Sequence, residues 1–270
     1  SYLPDVTGRQ PAIRGLDFMD NDYLGVTQRA KDWWARGGIP TICWHTGADF
    51  FSGYPECRES ELDWASAFVD GTEANRRLLD GLDHAVPYLK RLQSDGVPIL
   101  WRPFHEMDGG WFWWGASGAD AYLQLYKLMY DRLTNVHGLN NLIWVWNGQD
   151  AAWYPGDEYV DIIGEDIYPG KHVYTSQAAR FIKALSYTDT RKLITLSENG
   201  CIPDPEQLVR DNIMWSYWCV WEGEFVLKAA GFNNYSEQYT EKNMLKKAYK
   251  SDTVITRKEL PDLRNYPLGD

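Results

Sequence analysis

The chain has 270 residues, 44% of them hydrophobic, and a formal net charge of −11 at pH 7. That size and apolar content suffice for a large core, while acidic charge spread along the chain disfavours nucleic acid, whose phosphates require clustered Lys and Arg. No apolar run approaches the roughly 20 residues of a membrane span, and neither end carries a basic-then-apolar targeting signal, so any export signal has been removed or never existed.

In chain order, Ser1–Gln10 reads as loop, and "AIRGLDF" (12–18) predicts the first strand, followed by a helix near 24–36. "IPTICWH" (39–45) is a second strand, followed by a long connection, "TGADFFSGYPECRESELDW" (46–64). Leu78, Leu82, Ala85, Leu89 and Leu92 share one face of a helix from about Thr72 to Ser94, which Pro87 should kink or split. "VPILWRPFH" (97–105) is a third strand, and Tyr122, Leu125, Tyr126, Met129 and Leu133 mark a helix over 119–134. Strands then follow at "NLIWVWN" (141–147), "YVDIIGEDIY" (159–168), "KLITLSEN" (192–199) and "IMWSYWCVW" (213–221), with helices near 175–186, 205–211 and 236–249. Seven nearly continuous apolar runs alternating with helices predict a parallel sheet under a helical cover. No Pro- or Gly-rich linker divides them, so residues 1–270 read as one α/β domain, a (β/α)8 TIM barrel. In such barrels chemistry sits at the C-terminal strand ends, and polar residues do end these runs: His45, His105-Glu106, Asn147, Asp166, Glu198 and Glu222. An open nucleotide-binding sheet lacks support, because no GxGxxG or P-loop stands at a strand-to-helix turn.

Fourteen Trp beside 17 Tyr and 9 Phe exceed what a core usually demands. Flat aromatic faces suit the C–H faces of pyranose rings, although core packing is the commoner use of any one Trp. The tract "RPFHEMDGGWFWWG" (102–115) joins Arg102, His105 and Glu106 to Trp111, Phe112, Trp113 and Trp114. If that tract is extended, alternation sends Trp111 and Trp113 one way and Phe112 and Trp114 the other. Glu106, among aromatics at a strand end, should be desolvated and hold its proton, as a general acid requires. Glu198 would project into the same mouth as a second, ionised carboxylate. A separation of about 5–5.5 Å would give cleavage of a glycosidic bond with retention, about 6.5–9.5 Å with inversion. On pattern alone a strand-end Glu is as well explained by a salt bridge or helix cap. His45, His84, His105, His137 and His172 are scattered without chelating spacing, so no metal or cofactor is expected. Cys43, Cys57, Cys201 and Cys219 include no CxxC and read as buried thiols or one or two disulfides, with Cys201 and Cys219 placed to pair if the protein is secreted.

"RPFHEMDGGWFWWG" is similar almost throughout to the acid/base segment of glycoside hydrolase family 26, whose best-known members are β-mannanases. In the expected order, "TGRQPAIRGLDF" (7–18), "GGIPTICWH" (37–45), "WYPGDEYVDIIGEDIYP" (153–169), "TLSENG" (195–200) and "YWCVWEGEF" (217–225) resemble further segments of that family. The resemblance implies retention through a covalent glycosyl-enzyme, with Glu106 as acid/base and Glu198 as nucleophile. It implies that His105 contacts the sugar or orients the carboxylates, that Arg102 keeps Glu198 ionised, that Tyr168 hydrogen-bonds Glu198 and that Asp166 supports the site. Trp221 would floor the cleaved sugar, Trp111 stack on the leaving-group side, and Trp44 with His45 line the other side. The substrate implied is β-mannan, glucomannan or galactomannan, or their oligosaccharides, cut internally at β-1,4 bonds by a monomer that is secreted, periplasmic or at the cell surface. A mannobiose-releasing exo enzyme, a β-1,3-xylanase and a mixed-linkage β-glucanase are alternatives within the family. A non-catalytic carbohydrate-binding protein is the alternative of another class, and the paired glutamates argue against it.

Two departures stand out. Asp108 replaces a common Asn and would raise the pKa of Glu106 by its charge. The family also places the acid/base after the fourth strand and the nucleophile on the seventh, whereas here they fall on the third and sixth. The first barrel strand is therefore expected to be missing from residues 1–270.

Overall fold

The computed structural model describes residues 2–228 and 235–267, and the remainder of the expected 1–270 domain lies outside them. The strands are β1 (Ile13–Asp17), β2 (Ile39–Trp44), β3 (Ile99–Pro103), β4 (Leu142–Asn147), β5 (Ile162–Ile167), β6 (Leu193–Asn199) and β7 (Trp218–Val220). The helices are α1 (Tyr2–Thr7), α2 (Tyr23–Ala35), α3 (Tyr54–Glu59), α4 (Trp64–Ala67), α5 (Glu73–His84), α6 (Val86–Ser94), α7 (Ala119–Asp131), α8 (Ala178–Leu185), α9 (Pro205–Asp211) and α10 (Lys242–Lys250).

Local chemistry explains most boundaries. The Asp22 carboxylate accepts from the Gly25 N–H and starts α2, and the Thr72 hydroxyl accepts from Asn75 N–H and starts α5. The expected 72–94 helix divides at Ala85, with Pro87 in the first turn of α6, where its missing N–H costs nothing. Three helices fall in segments read as loop. Thr7 closes α1 by donating its hydroxyl to Leu3 O at 2.7 Å, α3 forms inside the 46–64 connection, and α4 begins at its last residue, Trp64. The last strand is shorter than 213–221 because Trp215 is buried in the main core and donates to Ser176 O.

All six strand pairings are parallel and run in chain order from β1 to β7. β2 to β6 are almost wholly buried on both faces, which is why they read as continuous apolar runs, while β1 and β7 beside the seam are partly exposed. Trp101, Trp144 and Ile163 pack outward among the helices, while Leu100, Val145 and Ile162 form a separate cluster with Ile13, Ile39 and Tyr217. Among the described residues no ladder joins β7 to β1. A cavity of about 430 Å³ lies there, lined by Gly15 and Asp17 of β1, Cys219 and Val220 of β7, and Arg102 from within. The molecule is thus a nearly closed barrel of the (β/α)8 kind with seven staves, and its seam falls where the strand count predicts.

Candidate active site

Two irregularities of the backbone build the centre of the site. Along β6, strict alternation would turn Glu198 away from Ser197, toward the helices. A register shift instead pairs Leu196 with Glu165 and Glu198 with Asp166, and the resulting bulge brings both Ser197 and Glu198 inward. Beyond β3, Phe104 and Glu106 both take left-handed backbone, with φ of 51° each. For a buried aromatic this is costly, and it is held by surrounding contacts. The Glu106 N–H is anchored on Asn147 O at 2.9 Å, so the end of β4 fixes where the acid turns.

Arg102 is the hub, buried beneath the carboxylates. Its guanidinium donates to Glu198 Oε1 at 2.5 Å and Asp166 Oδ2 at 3.4 Å, and also to Asn147 Oδ1. The other oxygen of Glu198 accepts the Tyr168 hydroxyl at 2.6 Å. Asp166 Oδ1 accepts the Ser197 hydroxyl at 3.0 Å. One oxygen from each of Glu106, Asp166 and Glu198 lies within 4.8 Å of the others.

These neighbours sort the carboxyl groups. Burial first, then the Glu198 charge, push Glu106 above the usual carboxylate range, opposed by Arg102, a hydrogen bond with Asp166 and the Trp111 indole. Burial and Glu198 likewise push Asp166 well above its ordinary value. Asp108, expected to raise Glu106 by its charge, is not among the leading influences on that group, and its carboxylate accepts the Gln149 N–H at 3.2 Å. His105 is held well below the usual imidazole value by burial, with Arg102 and His45 adding to it.

The site opens into a cleft of about 390 Å³ bordered by His45, His105, Glu106, Tyr168, Glu198 and Trp221. Trp111 stands at its rim, 45% exposed, with its indole N–H on Glu106 Oε2 at 3.2 Å. The expected alternation of the tract fails, because residues 112–116 curl into turns and Phe112, Trp113 and Trp114 are all buried. The Trp113 indole donates to Thr46 O and that of Trp114 to His105 O, each at 2.8 Å. Trp44 is also displaced from its expected place. It is fully buried, stacks on Phe104 and donates to the Tyr23 hydroxyl, so it supports the wall from behind. All four cysteines are free, Cys201 donating to Gly170 O rather than bonding Cys219. Tyr54 of the 46–64 connection, which from its sequence could equally build a subsite or pack the loop, borders the cleft. Sequence reasoning missed Met19 and Phe112 there, since nothing in their pattern separates them from packing residues. It also missed Cys43, although it shares the inward phase of Thr41 on β2 and of His45 just beyond that strand.

Besides the carboxylates, Cys43, His45 and His105 bring donor atoms within 4.8 Å of one another. Arg102 acts on both groups and already supplies the positive charge that a cation would contest.

Comparison with known proteins places these features in a family. The chain is 35% identical over 272 residues to mannan endo-1,4-beta-mannosidase B of Piromyces sp, covering 94% of this chain and 45% of that relative. It is 35% identical over 278 residues to a mannan endo-1,4-beta-mannosidase of Thermothelomyces thermophilus, covering 96% and 55%. The chain therefore spans about half the length of the curated relatives it matches. Its fold is similar to the crystal structure of a beta-mannanase from a symbiotic protist of the termite Reticulitermes speratus, complexed with gluco-manno-oligosaccharide. The TM-score is 0.84 at 34% identity, covering 96% of this chain and 83% of that one. Residues 2–259 match the sequence profile of glycosyl hydrolase family 26, and the chain belongs to that family.

Proposed function

We propose that this chain is a single catalytic unit, an endo-acting β-1,4-mannanase that hydrolyses mannan, glucomannan or galactomannan with retention. The carrying observation is the approach of Glu106, Glu198 and Asp166 to within 4.8 Å at the C-terminal mouth of the barrel. That proximity of the nearest oxygens favours the carboxyl separation of a retaining enzyme, about 5–5.5 Å, over the about 6.5–9.5 Å of an inverting one. The names of the Piromyces and Thermothelomyces relatives and the oligosaccharide in the termite-protist structure support the substrate class.

In this reading Glu198, held by Arg102 and Tyr168, attacks the anomeric carbon and forms the glycosyl-enzyme. Glu106, kept protonated by burial, gives its proton to the departing oxygen. After the leaving sugar diffuses away, Glu106 takes a proton from water, which attacks the same carbon and frees Glu198. Asp166, Ser197 and Asn147 hold Arg102 in place. Trp221 forms the floor of the cleaved sugar with His45 and His105 at its edge, and Trp111 stacks on the leaving side. Sugars need no counter-ion, which fits a site whose charges are already paired. No described helix is long and apolar enough to cross a membrane. A polymeric substrate, too large to cross a membrane, supports action outside the cytoplasm.

The test is hydrolysis of mannan, glucomannan, β-1,3-xylan and mixed-linkage glucan with the products sized over time. A ladder of manno-oligosaccharides from the first minutes is expected, with Glu106→Ala and Glu198→Ala inactive. Mannobiose alone at early times overturns the endo reading, and absence of mannan cleavage overturns the substrate.

A further inference from the structure

Three buried groups behind the sugar site are linked in a way that the reaction scheme does not use. Cys43 points inward from β2, with its Sγ 3.3 Å from His105 Nδ1 and 3.8 Å from His45 Nδ1. These two contacts are not equivalent. His45 Nδ1 lies 2.5 Å from Asp17 Oδ2, and Asp17 Oδ1 also accepts the His45 backbone N–H at 3.0 Å. An ionised carboxylate only accepts, so the proton of His45 sits on Nδ1 and is directed at Asp17. The Cys43 thiol therefore has one basic nitrogen within reach, Nδ1 of His105.

Two further facts remove the ambiguity. Burial, with Arg102 and His45 alongside, holds His105 well below the usual imidazole value, so its ring is neutral and one nitrogen is bare. Burial likewise holds the Cys43 thiol well above its usual value, so its proton stays on sulfur. A neutral ring beside a protonated thiol takes the arrangement in which S–H donates and Nδ1 accepts. We propose that Cys43 is a positioning residue that fixes His105 in its Nε2–H form, so that a donor faces the reacting sugar. His105 Nε2 is 3.7 Å from Glu198 Oε1, beyond hydrogen-bonding distance. In the other form a bare Nε2 would face this carboxylate and repel it. In the Nε2–H form the donor remains available to a sugar hydroxyl or to Glu198 as the reaction proceeds.

The experiment reads the ring directly. Long-range proton–nitrogen correlation spectra of protein labelled with nitrogen-15 histidine distinguish a bare from a protonated ring nitrogen, with His105→Gln assigning the signals. The wild type should show bare Nδ1 and protonated Nε2 at His105. Cys43→Ser, which keeps a donor, should preserve this, and Cys43→Ala should give a mixture. On a manno-oligosaccharide, Cys43→Ala should lose about tenfold in kcat, the upper worth of one neutral hydrogen bond, with a smaller change in KM. Cys43→Ser should recover to within about threefold of wild type. Protonated Nδ1 in wild-type protein overturns the proposal without any variant having to fold. So does Cys43→Ser behaving like Cys43→Ala in both readouts, or Cys43→Ala retaining the wild-type form and rate. The kinetic arm rests on the mannanase reading and the spectroscopic arm does not. A protein inactive on mannan whose His105 still follows this pattern supports the tautomer assignment and overturns only the substrate.

Discussion

The indole N–H of Trp111 donates to Oε2 of Glu106 across 3.2 Å, so the exposed ring at the cleft rim is tied to the carboxyl proposed to transfer the proton. That hydrogen bond is one of the influences restraining the upward shift of Glu106. Trp111→Phe keeps the flat face and removes the donor, so the pKa of Glu106 should rise. In the proposed mechanism Glu106 acts first as an acid, so activity should fall as pH climbs through its pKa. The high-pH limb of kcat/KM should therefore move to higher pH in Trp111→Phe, and a profile that stays put or moves down refutes the link.

Gly109 tests the same ring from the other side. A β-carbon there would lie 2.1 Å from the Trp111 ring, so Gly109→Ala must push the indole aside. The predicted result is a several-fold rise in KM for oligosaccharides reaching the leaving side, with about one unit or less of change in log kcat, since stacking contributes about 0.5–1.5 kcal/mol. Trp111→Ala should match it, and the double variant should be no worse than either.

Tyr168 donates to Glu198 at 2.6 Å, while 43% of its surface is exposed, so its hydroxyl can be removed with little harm to the fold. Tyr168→Phe should reduce kcat by about 10- to 100-fold, matching the 1.5–3 kcal/mol of a hydrogen bond to a charged group. Thermal denaturation should show a near-unchanged midpoint.

Arg102 poses the opposite balance. Removing its guanidinium leaves Glu198 and Asp166 buried without their cation. Arg102→Met should cost about 3–5 kcal/mol in denaturant unfolding and abolish turnover. Lysine is a poor substitute because one ammonium cannot reproduce the three-way fork to Glu198, Asp166 and Asn147.

Stability should also depend on pH through Glu106. Its folded pKa is raised, so below the ordinary carboxylate pKa both folded and unfolded states carry the proton and the stability contribution is whole. As pH rises from there through the raised folded value, the unfolded chain gives up its proton more readily and stability is lost. Glu106→Gln removes that loss. Its melting midpoint should exceed wild type at pH 7, and the difference should vanish at a pH below the ordinary carboxylate range.

Much of this was legible in the sequence because a parallel barrel buries its strands on both faces. The runs that give β1 to β6 could hardly be anything else, and Glu106 and Glu198 could be placed at strand ends. What periodicity could not supply was the direction of individual side chains. Strict alternation misplaces Glu198 relative to Ser197, and only the β6 bulge turns both inward. The same rule misread the aromatic tract, because Gly109 and Gly110 admit a turn after which Phe112, Trp113 and Trp114 pack inside and Trp111 alone stays out. Trp44 of β2 carried no sign that the Tyr23 hydroxyl, at the start of α2, would claim its indole. Contacts between distant segments decide such cases, and local pattern does not contain them.

Phe104 and Glu106 sit in left-handed backbone on either side of His105, a conformation that costs of order 1–3 kcal/mol per residue. The Asn147 carbonyl that holds the Glu106 N–H, and the packing of Phe104 against Trp44, Trp113 and Trp114, sustain it, so the shape of this turn is set by the protein's own contacts. On the proposed function, a sugar chain that reached this cleft would meet a backbone already shaped, and its binding energy could be directed to distorting the sugar rather than to reorganising the protein.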